Sequence, residues 1–242
     1  MAEERGLRIG SFAGAPVVID PNILFLVAYV VGAAALSGGL GAVSGALLFL
    51  GAVMLAVLLH EFGHAGMAAA LKLRSKRIVL TFFGGHVEFA EQPRARWQDI
   101  AVSAAGPAVN LICAVALPFA IGWFSQFGWP SRDTPLVLNL LDSFFYVSLM
   151  LGAFNLLPGF PLDGGRILSA ALSYVMAPQR ARLIAAWIGL LVAAGLVGLA
   201  LLQQWWWTIF IGALLALSAW AEIRRAREVL QAEAQSSAAS NA

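Results

Sequence analysis

Charged residues are scarce in this sequence. Asp, Glu, Lys and Arg make up 12% of its 242 residues, whereas hydrophobic residues make up 60%. This balance excludes an ordinary soluble domain, in which about a quarter of the residues are charged. The apolar residues form blocks of the roughly 20 residues that a helix needs to cross a bilayer. The sequence therefore predicts a polytopic membrane protein.

Cysteine is almost absent as well. Cys113 is the single one, which excludes an intramolecular disulfide and leaves a thiolate zinc site without enough ligands. The N-terminal residues before the first apolar block lack an apolar core, so they do not resemble a cleavable signal peptide. A formal net charge of +2 does not indicate a nucleic-acid partner, because the basic residues cluster at the ends of the apolar blocks. There they act as topology signals.

Six apolar segments predict six transmembrane helices within a single membrane domain, residues 1–222. The predicted spans are residues 22–36, 42–71, 99–123, 136–157, 183–202 and 205–221. Between the second and third spans, β-prone residues around Gly84 and Gly85 predict a short β-hairpin. Prolines and glycines break the fourth span before an apolar helical pattern resumes. The expected fold class is an all-α membrane protein, and residues 223–242 are expected to form a basic and then disordered tail.

The basic residues also predict the orientation of the spans. If both termini lie in the cytoplasm, nearly all of the 15 Lys and Arg residues fall on the cytoplasmic side, with Arg132 and Arg166 as the exceptions. This is the asymmetry that the positive-inside rule describes. The Trp205, Trp206 and Trp207 run then lies at the outer interface, where aromatic belts occur. We therefore expect a multi-pass protein of the cell (inner) membrane.

One motif indicates chemistry. Residues 60–64, in the second span, read HEFGH. Positions i and i+4 of a helix share a face, so His60 and His64 can offer two imidazoles to one cation, with Glu61 beside the first. A Glu and two His in an otherwise uncharged span are costly unless they are paired or bind a metal, so a chance match is a poor explanation. The motif predicts a catalytic zinc site in which Glu61 is the general base.

A third zinc ligand must come from elsewhere in the chain. The candidates are His86, Glu88, Asp142 and Asp163. Asp163 is favoured because it lies in the segment that prolines and glycines break, and unwound backbone is tolerated at membrane depth where it is buried in protein or lines a wet cavity. An ordinary surface loop is the alternative for this segment. His86 is interpreted as an interfacial hairpin residue and Asp142 as a polar residue near the outer surface.

Two motifs together resemble the site-2 protease family of intramembrane zinc metalloproteases. They are HEFGH in the second of six spans and NLLPGFPLDGGR, residues 155–166, at the end of the fourth. The likeness includes FGG at residues 83–85 and the pattern GPxxN at residues 106–110. This pairing of motifs is far more specific than either motif alone. It implies peptide-bond hydrolysis within a membrane.

The resemblance also implies roles for residues. It implies one zinc ion per chain, held by His60, His64 and Asp163, with Glu61 as the catalytic base. It further implies that Asn155 holds the substrate backbone or the developing oxyanion, which agrees with the use of side-chain amides in oxyanion stabilisation. Capping of local backbone at a helix end is the alternative role for Asn155.

Four further residues are candidates for substrate binding. Phe83, Gly84 and Gly85 of the predicted hairpin could offer a strand edge that pairs with an unwound substrate. Asn110 is the fourth candidate, with interhelical hydrogen bonding as its alternative role.

The resemblance implies a substrate class as well. The expected substrate is a single-pass membrane protein, such as an anti-sigma factor or a signal-peptide remnant. The lipid bilayer is the other expected partner. Family members often carry a PDZ insertion or paired CBS modules, and the short links of this chain leave no place for either. The oligomeric state stays open.

Two other functions compete with proteolysis. A divalent-metal transporter also uses membrane His and acidic residues, but the first, fifth and sixth predicted spans have none in their apolar interiors. A catalytically silent protein that binds membrane partners is the second alternative. The intact HEFGH motif and Asp163 argue against it.

Overall fold

The structure is a computed structural model that describes residues 6–82, 84–91, 93–129 and 135–240. Most of these residues are helical, and a small sheet accompanies the helices. The elements in chain order are β1 (Leu7–Phe12), β2 (Ala15–Ile19), α1 (Ile23–Ala70), β3 (Ser75–Thr81), β4 (Gly84–Phe89), α2 (Arg96–Ser125), α3 (Pro135–Asn155), α4 (Asp163–Leu172), α5 (Pro178–Leu202) and α6 (Trp206–Ser240).

Five helical segments are long and apolar enough to cross a membrane. They are Gly41–Ala70, Arg96–Ser125, Leu136–Asn155, Pro178–Leu202 and Trp206–Ser236. The first predicted span corresponds to a shorter apolar helix, Ile23–Gly39, which is separated from the rest of α1 by non-helical backbone at Gly38 and Gly39. A helix of this length extends roughly 25 Å, less than the roughly 30 Å of a bilayer core.

The four strands form one sheet in the order β1-β2-β3-β4. The outer pairs are antiparallel, whereas β2 and β3 are parallel neighbours because α1 lies between them in the chain. The sequence predicted a single β-hairpin in an otherwise all-α protein. The sheet is larger than predicted, because four strands belong to it. Residues 7–20 are β-prone, but their pairing with β3 joins positions about sixty residues apart, such as Val17 and Ile78. Local sequence does not report such a pairing.

The described chain divides into two compact units. The first comprises residues 1–92 and 105–153, and the second comprises residues 93–104 and 154–242. In the first unit, Ala65 of α1 packs with Ala15, Val17 and Ile78 of the sheet in a buried apolar cluster. The sheet is thereby fixed against the end of α1 that carries the HEFGH motif.

In the second unit, α5 and α6 pack through small side chains. Buried alanines and Gly189 line α5, and Gly212 of α6 lies against Val197. Small residues let membrane helices approach closely. The fourth predicted span is two helices, α3 and α4, separated by the segment 156–162. Residues 223–240 of the predicted tail belong to α6, and the Ala, Glu and Gln residues that are frequent there favour helix.

Candidate metal centre and catalytic site

The two histidines of the HEFGH motif meet on one face of α1. Their Nε2 atoms are 3.1 Å apart, and their rings lie edge to face with centroids 4.7 Å apart. Both side chains are buried, with 6% and 7% of their surface exposed. Two imidazole nitrogens that converge inside an apolar helix are suited to a shared cation.

Asn110 of α2 determines which nitrogen of His60 carries the proton. Its Oδ1 lies 2.7 Å from His60 Nδ1, and its Nδ2 donates a hydrogen bond to the carbonyl oxygen of Ala56 at 3.0 Å. The second bond fixes the orientation of the amide, so Oδ1 faces the imidazole as an acceptor. In the neutral form of His60, this acceptor places the proton on Nδ1 and leaves Nε2, the nitrogen that faces His64, as the one that can bind a metal. This is the tautomer that a metal ligand needs.

Two glycines allow α1 and α2 to approach at this level. A Cβ at Gly63 would lie 2.5 Å from the carbonyl oxygen of Ala105 and 2.9 Å from the Cα of Gly106. A Cβ at Gly106 would contact His64 Nε2 and lie 2.9 Å from His60 Nε2. The sequence singled out the GPxxN pattern but gave no reason for its glycine. The structure supplies one: the glycine leaves room at the two imidazole nitrogens.

Glu61 is buried, with 5% of its surface exposed, and β4 lies against its side chain. A Cβ at Gly85 would lie 2.6 Å from Glu61 Cγ and 2.8 Å from Oε1. Gly84 begins β4 with a φ of +123°, a conformation that favours glycine. Phe83, the third residue of this predicted group, lies outside the described residues. β4, an edge strand of the sheet among the described residues, therefore runs beside the predicted general base.

Asp163 is the first residue of α4, in the second unit, and Asn155 is the last residue of α3. The segment between them packs its backbone on α5. Phe160 N donates to the carbonyl oxygen of Ala185 at 3.3 Å, and a Cβ at Gly189 would contact the Phe160 carbonyl oxygen. His60, His64 and Asp163 have side chains of the kinds that hold a metal ion.

Comparison with known proteins decides the family. The sequence matches Peptidase family M50 over residues 48–134 and 126–196, which include both the HEFGH motif and Asp163. The chain belongs to Peptidase family M50. Its relatives include the putative zinc metalloprotease sll0528 of Synechocystis sp. (33% identical; 94% of this chain and 62% of the relative are covered). They also include the zinc metalloprotease MJ0392 of Methanocaldococcus jannaschii (30% identical; 76% and 50%).

A solved M50 structure has the same fold. The site-2 protease from Methanocaldococcus jannaschii superposes with a TM-score of 0.64 and is 27% identical, over 90% of this chain and 95% of that one. The chain spans between 50% and 62% of the length of the two curated relatives named above. The family match and this structural likeness confirm the resemblance to the site-2 protease family.

The donor set fits zinc. Two neutral imidazoles and one carboxylate are a donor set found in catalytic zinc sites. Two nitrogens bound to one tetrahedral zinc are roughly 3.3 Å apart, close to the 3.1 Å between His60 Nε2 and His64 Nε2. Zinc is also the metal in the names of the M50 relatives.

The other ligand candidates are engaged elsewhere or exposed. Glu88 of β4 accepts a hydrogen bond from Arg77 at 2.7 Å, and this bond holds the pKa of the Glu88 carboxyl below its ordinary value. His86 lies 3.6 Å from the same carboxylate, with about half of its side chain exposed. Asp142 lies exposed on α3. These positions agree with the preference for Asp163.

Proposed function

We propose that this chain is an intramembrane zinc metalloprotease that hydrolyses a peptide bond within or near the transmembrane segment of a membrane-anchored substrate. The observation that carries the proposal is the pair of convergent Nε2 atoms of His60 and His64, together with the Asn110 contact that orients His60. This pair lies in a long apolar helix of a Peptidase family M50 member.

In the proposed site, His60, His64 and Asp163 hold the metal. Zinc, when bound, supplies Lewis acidity that polarises a carbonyl and makes water easier to deprotonate. Glu61 accepts the proton of the attacking water and delivers it to the leaving amine. Its burial supports this role, because a carboxylate shielded from bulk water interacts strongly with the reacting groups. We assign Asn155 to the developing oxyanion as a hydrogen-bond donor.

The edge strand β4 is the proposed substrate platform. A transmembrane helix resists hydrolysis because its carbonyls are hydrogen-bonded, so the substrate must unwind before it is cut. An unwound segment can add to the free edge of β4 as a further strand. Gly85 supports this placement because it lies against Glu61, which would bring an added strand close to the general base. Gly84 and Phe83 are assigned to the same platform.

We further propose the six-span arrangement, with Ile23–Gly39 as the first span. Both termini then lie in the cytoplasm of a cell-membrane protein. The distribution of Lys and Arg at the helix ends supports this orientation.

The substrate class that suits such a site is a single-pass membrane protein, such as a tethered anti-sigma factor or a signal-peptide remnant.

A divalent-metal transporter remains the competing function. It would spread metal ligands along a path through several helices, whereas His60 and His64 converge on one face of α1. Metal uptake into proteoliposomes without peptide cleavage would favour that function over proteolysis.

The test is the Glu61→Gln variant. We expect cleavage of a model transmembrane substrate in proteoliposomes to fall by about 10²–10⁴-fold, the usual contribution of a general base. The zinc content, measured by elemental analysis, should equal that of the wild type because the ligands are untouched.

The matched control is Asp163→Asn, which should lower both cleavage and zinc content. Full cleavage by the Glu61→Gln protein would refute the catalytic proposal. Unchanged zinc content in Asp163→Asn would point to a different third ligand.

A further inference from the structure

A second candidate site lies in the second unit. A cavity of about 260 Å³ opens where α2 and α5 begin, beside the end of α4. Its lining includes the side chains of Arg94, Arg96 and Arg182, together with Asp99, Ser169 and Gln179. Three guanidinium groups around one small cavity are a pattern that recognises phosphate.

Two carboxylates pair with arginines at this cavity. Asp99 accepts a hydrogen bond from Arg166 at 2.9 Å, and Glu222 pairs with Arg182. The lining itself carries three guanidinium groups and one carboxylate, that of Asp99. An anion in the cavity would therefore meet a net positive environment. Guanidinium groups bind the oxygens of such an anion through several parallel hydrogen bonds.

The position of the cavity indicates where the anion comes from. Both α2 and α5 are apolar enough to span a membrane, and the cavity lies at the first turn of each. Trp97 and Tyr174, next to it, are 54% and 55% exposed. The guanidinium of Arg96 lies over the Tyr174 ring, 5.2 Å from its centroid. Exposed Trp and Tyr beside basic residues are typical of the headgroup level of a bilayer.

The start of α5 lies at the same place. Ala177, at its N-cap, makes no side-chain capping hydrogen bond, and Pro178 and Gln179 line the cavity. The start of α2 differs, because Gln98 Oε1 already accepts from the backbone N–H groups of Arg94 and Ala95. The positive end of the α5 dipole thus reinforces the arginines.

We propose that this cavity binds the phosphate group of an anionic phospholipid at the membrane surface. The cavity is smaller than the roughly 300–1,000 Å³ of pockets for drug-sized ligands, so it suits a headgroup whose acyl chains stay in the bilayer. Phosphatidylglycerol is a suitable probe because it carries the phosphate without a compensating cation. Inorganic phosphate tests whether the phosphate alone is sufficient.

The experiment compares the full-length protein with the double variant Arg94→Gln, Arg96→Gln. The matched control is Arg180→Gln, Arg224→Gln, which removes two charges that do not line the cavity. Each protein is purified in a neutral detergent. The affinity for phosphatidylglycerol, phosphatidylcholine and inorganic phosphate is then taken from the ligand dependence of the thermal unfolding midpoint. Mass spectrometry counts the phospholipid that co-purifies.

We expect phosphatidylglycerol to bind the wild type and the control alike, within about threefold, because exposed charges outside the cavity are screened. The cavity variant should bind about thirtyfold more weakly, from the loss of two basic contacts. A stronger effect of phosphatidylglycerol than of inorganic phosphate assigns the site to lipid. Equal weakening in the control and the cavity variant would refute the proposal, and so would saturation by inorganic phosphate alone.

Discussion

The two regions that carry the proposed zinc ligands are built differently. The histidines lie inside a long helix, and α2 contributes both a glycine and a hydrogen-bonding amide beside them. Asp163 begins a short helix after a turn that packs backbone against backbone. The His60 imidazole is therefore oriented by a polar partner, whereas the start of α4 at Asp163 is positioned by the steric fit of the main chain.

The steric fit around Asp163 is close at several points. A Cβ at Gly164 would contact the carbonyl oxygens of Leu156 and Leu157, and a Cβ at Gly165 would contact the backbone of Gly159 and Phe160. Nothing larger than hydrogen fits at these positions without a shift of the backbone. We therefore expect a substitution that removes a polar group to weaken metal binding most in the histidine region. A substitution that adds volume should weaken metal binding in both regions.

Gly106→Ala should have the largest effect. The added methyl group would occupy the space at the two Nε2 atoms, so we expect loss of bound zinc and of substrate cleavage. Elemental analysis of the purified protein measures the first, and a proteoliposome cleavage assay measures the second.

Gly122→Ala is the control for this change. It lies on the same helix, where a Cβ would meet no heavy atom of the described residues within 4 Å, and it should retain both properties. If Gly106→Ala kept wild-type zinc, the assignment of the metal to the two Nε2 atoms would be wrong.

Asn110→Leu should have the next largest effect. The substitution removes the acceptor that holds the His60 proton on Nδ1, and loss of such a partner typically weakens metal binding about 10–100-fold. Asn110→Asp keeps an acceptor oxygen and should recover part of the affinity. Competition with a chelator measures zinc affinity, and the visible spectrum of the cobalt-substituted protein reports the ligand geometry.

A purely structural role for Asn110 predicts another outcome. Both variants would then lower the thermal unfolding midpoint while the cobalt spectrum of the folded fraction stayed unchanged. That result would separate packing from orientation of the ligand.

Much of the histidine region could be predicted from the sequence. The spacing of His60 and His64 is local, and a helix fixes its geometry whatever surrounds it. The apolar blocks likewise predicted the long helices, because the length needed to span a bilayer depends on composition alone. The contact of Asn110 with His60 could not be derived in this way. It joins residues fifty positions apart, and an Asn in an apolar helix has many possible partners.

Less of the Asp163 region could be predicted from the sequence. Prolines and glycines predicted a break, and the choice of Asp163 followed from its place in that break. The reason for the glycines depends on α5: Gly159 needs space because it meets Gly189. Only the fold brings these two residues together. The N-terminal strands were underestimated for the same reason, since β2 pairs with β3 across the whole of α1.

Gly189→Ala adds volume beside the turn that precedes Asp163, and it should have the smallest effect of the three substitutions. The new methyl group would contact the Phe160 carbonyl oxygen and lie 2.8 Å from Phe160 N, three residues before Asp163. The turn can shift to relieve about 1 kcal/mol of overpacking, so we expect a roughly fivefold loss of zinc affinity.

Gly195→Ala, on the same helix with no described heavy atom within 4 Å of its Cβ, should bind zinc like the wild type. Because no polar partner is lost, the imidazoles of the Gly189→Ala protein should keep their orientation, and excess zinc should restore full cleavage. Failure of excess zinc to restore cleavage would mean that this turn positions more than the metal ligand, with Asn155 as the first residue to examine.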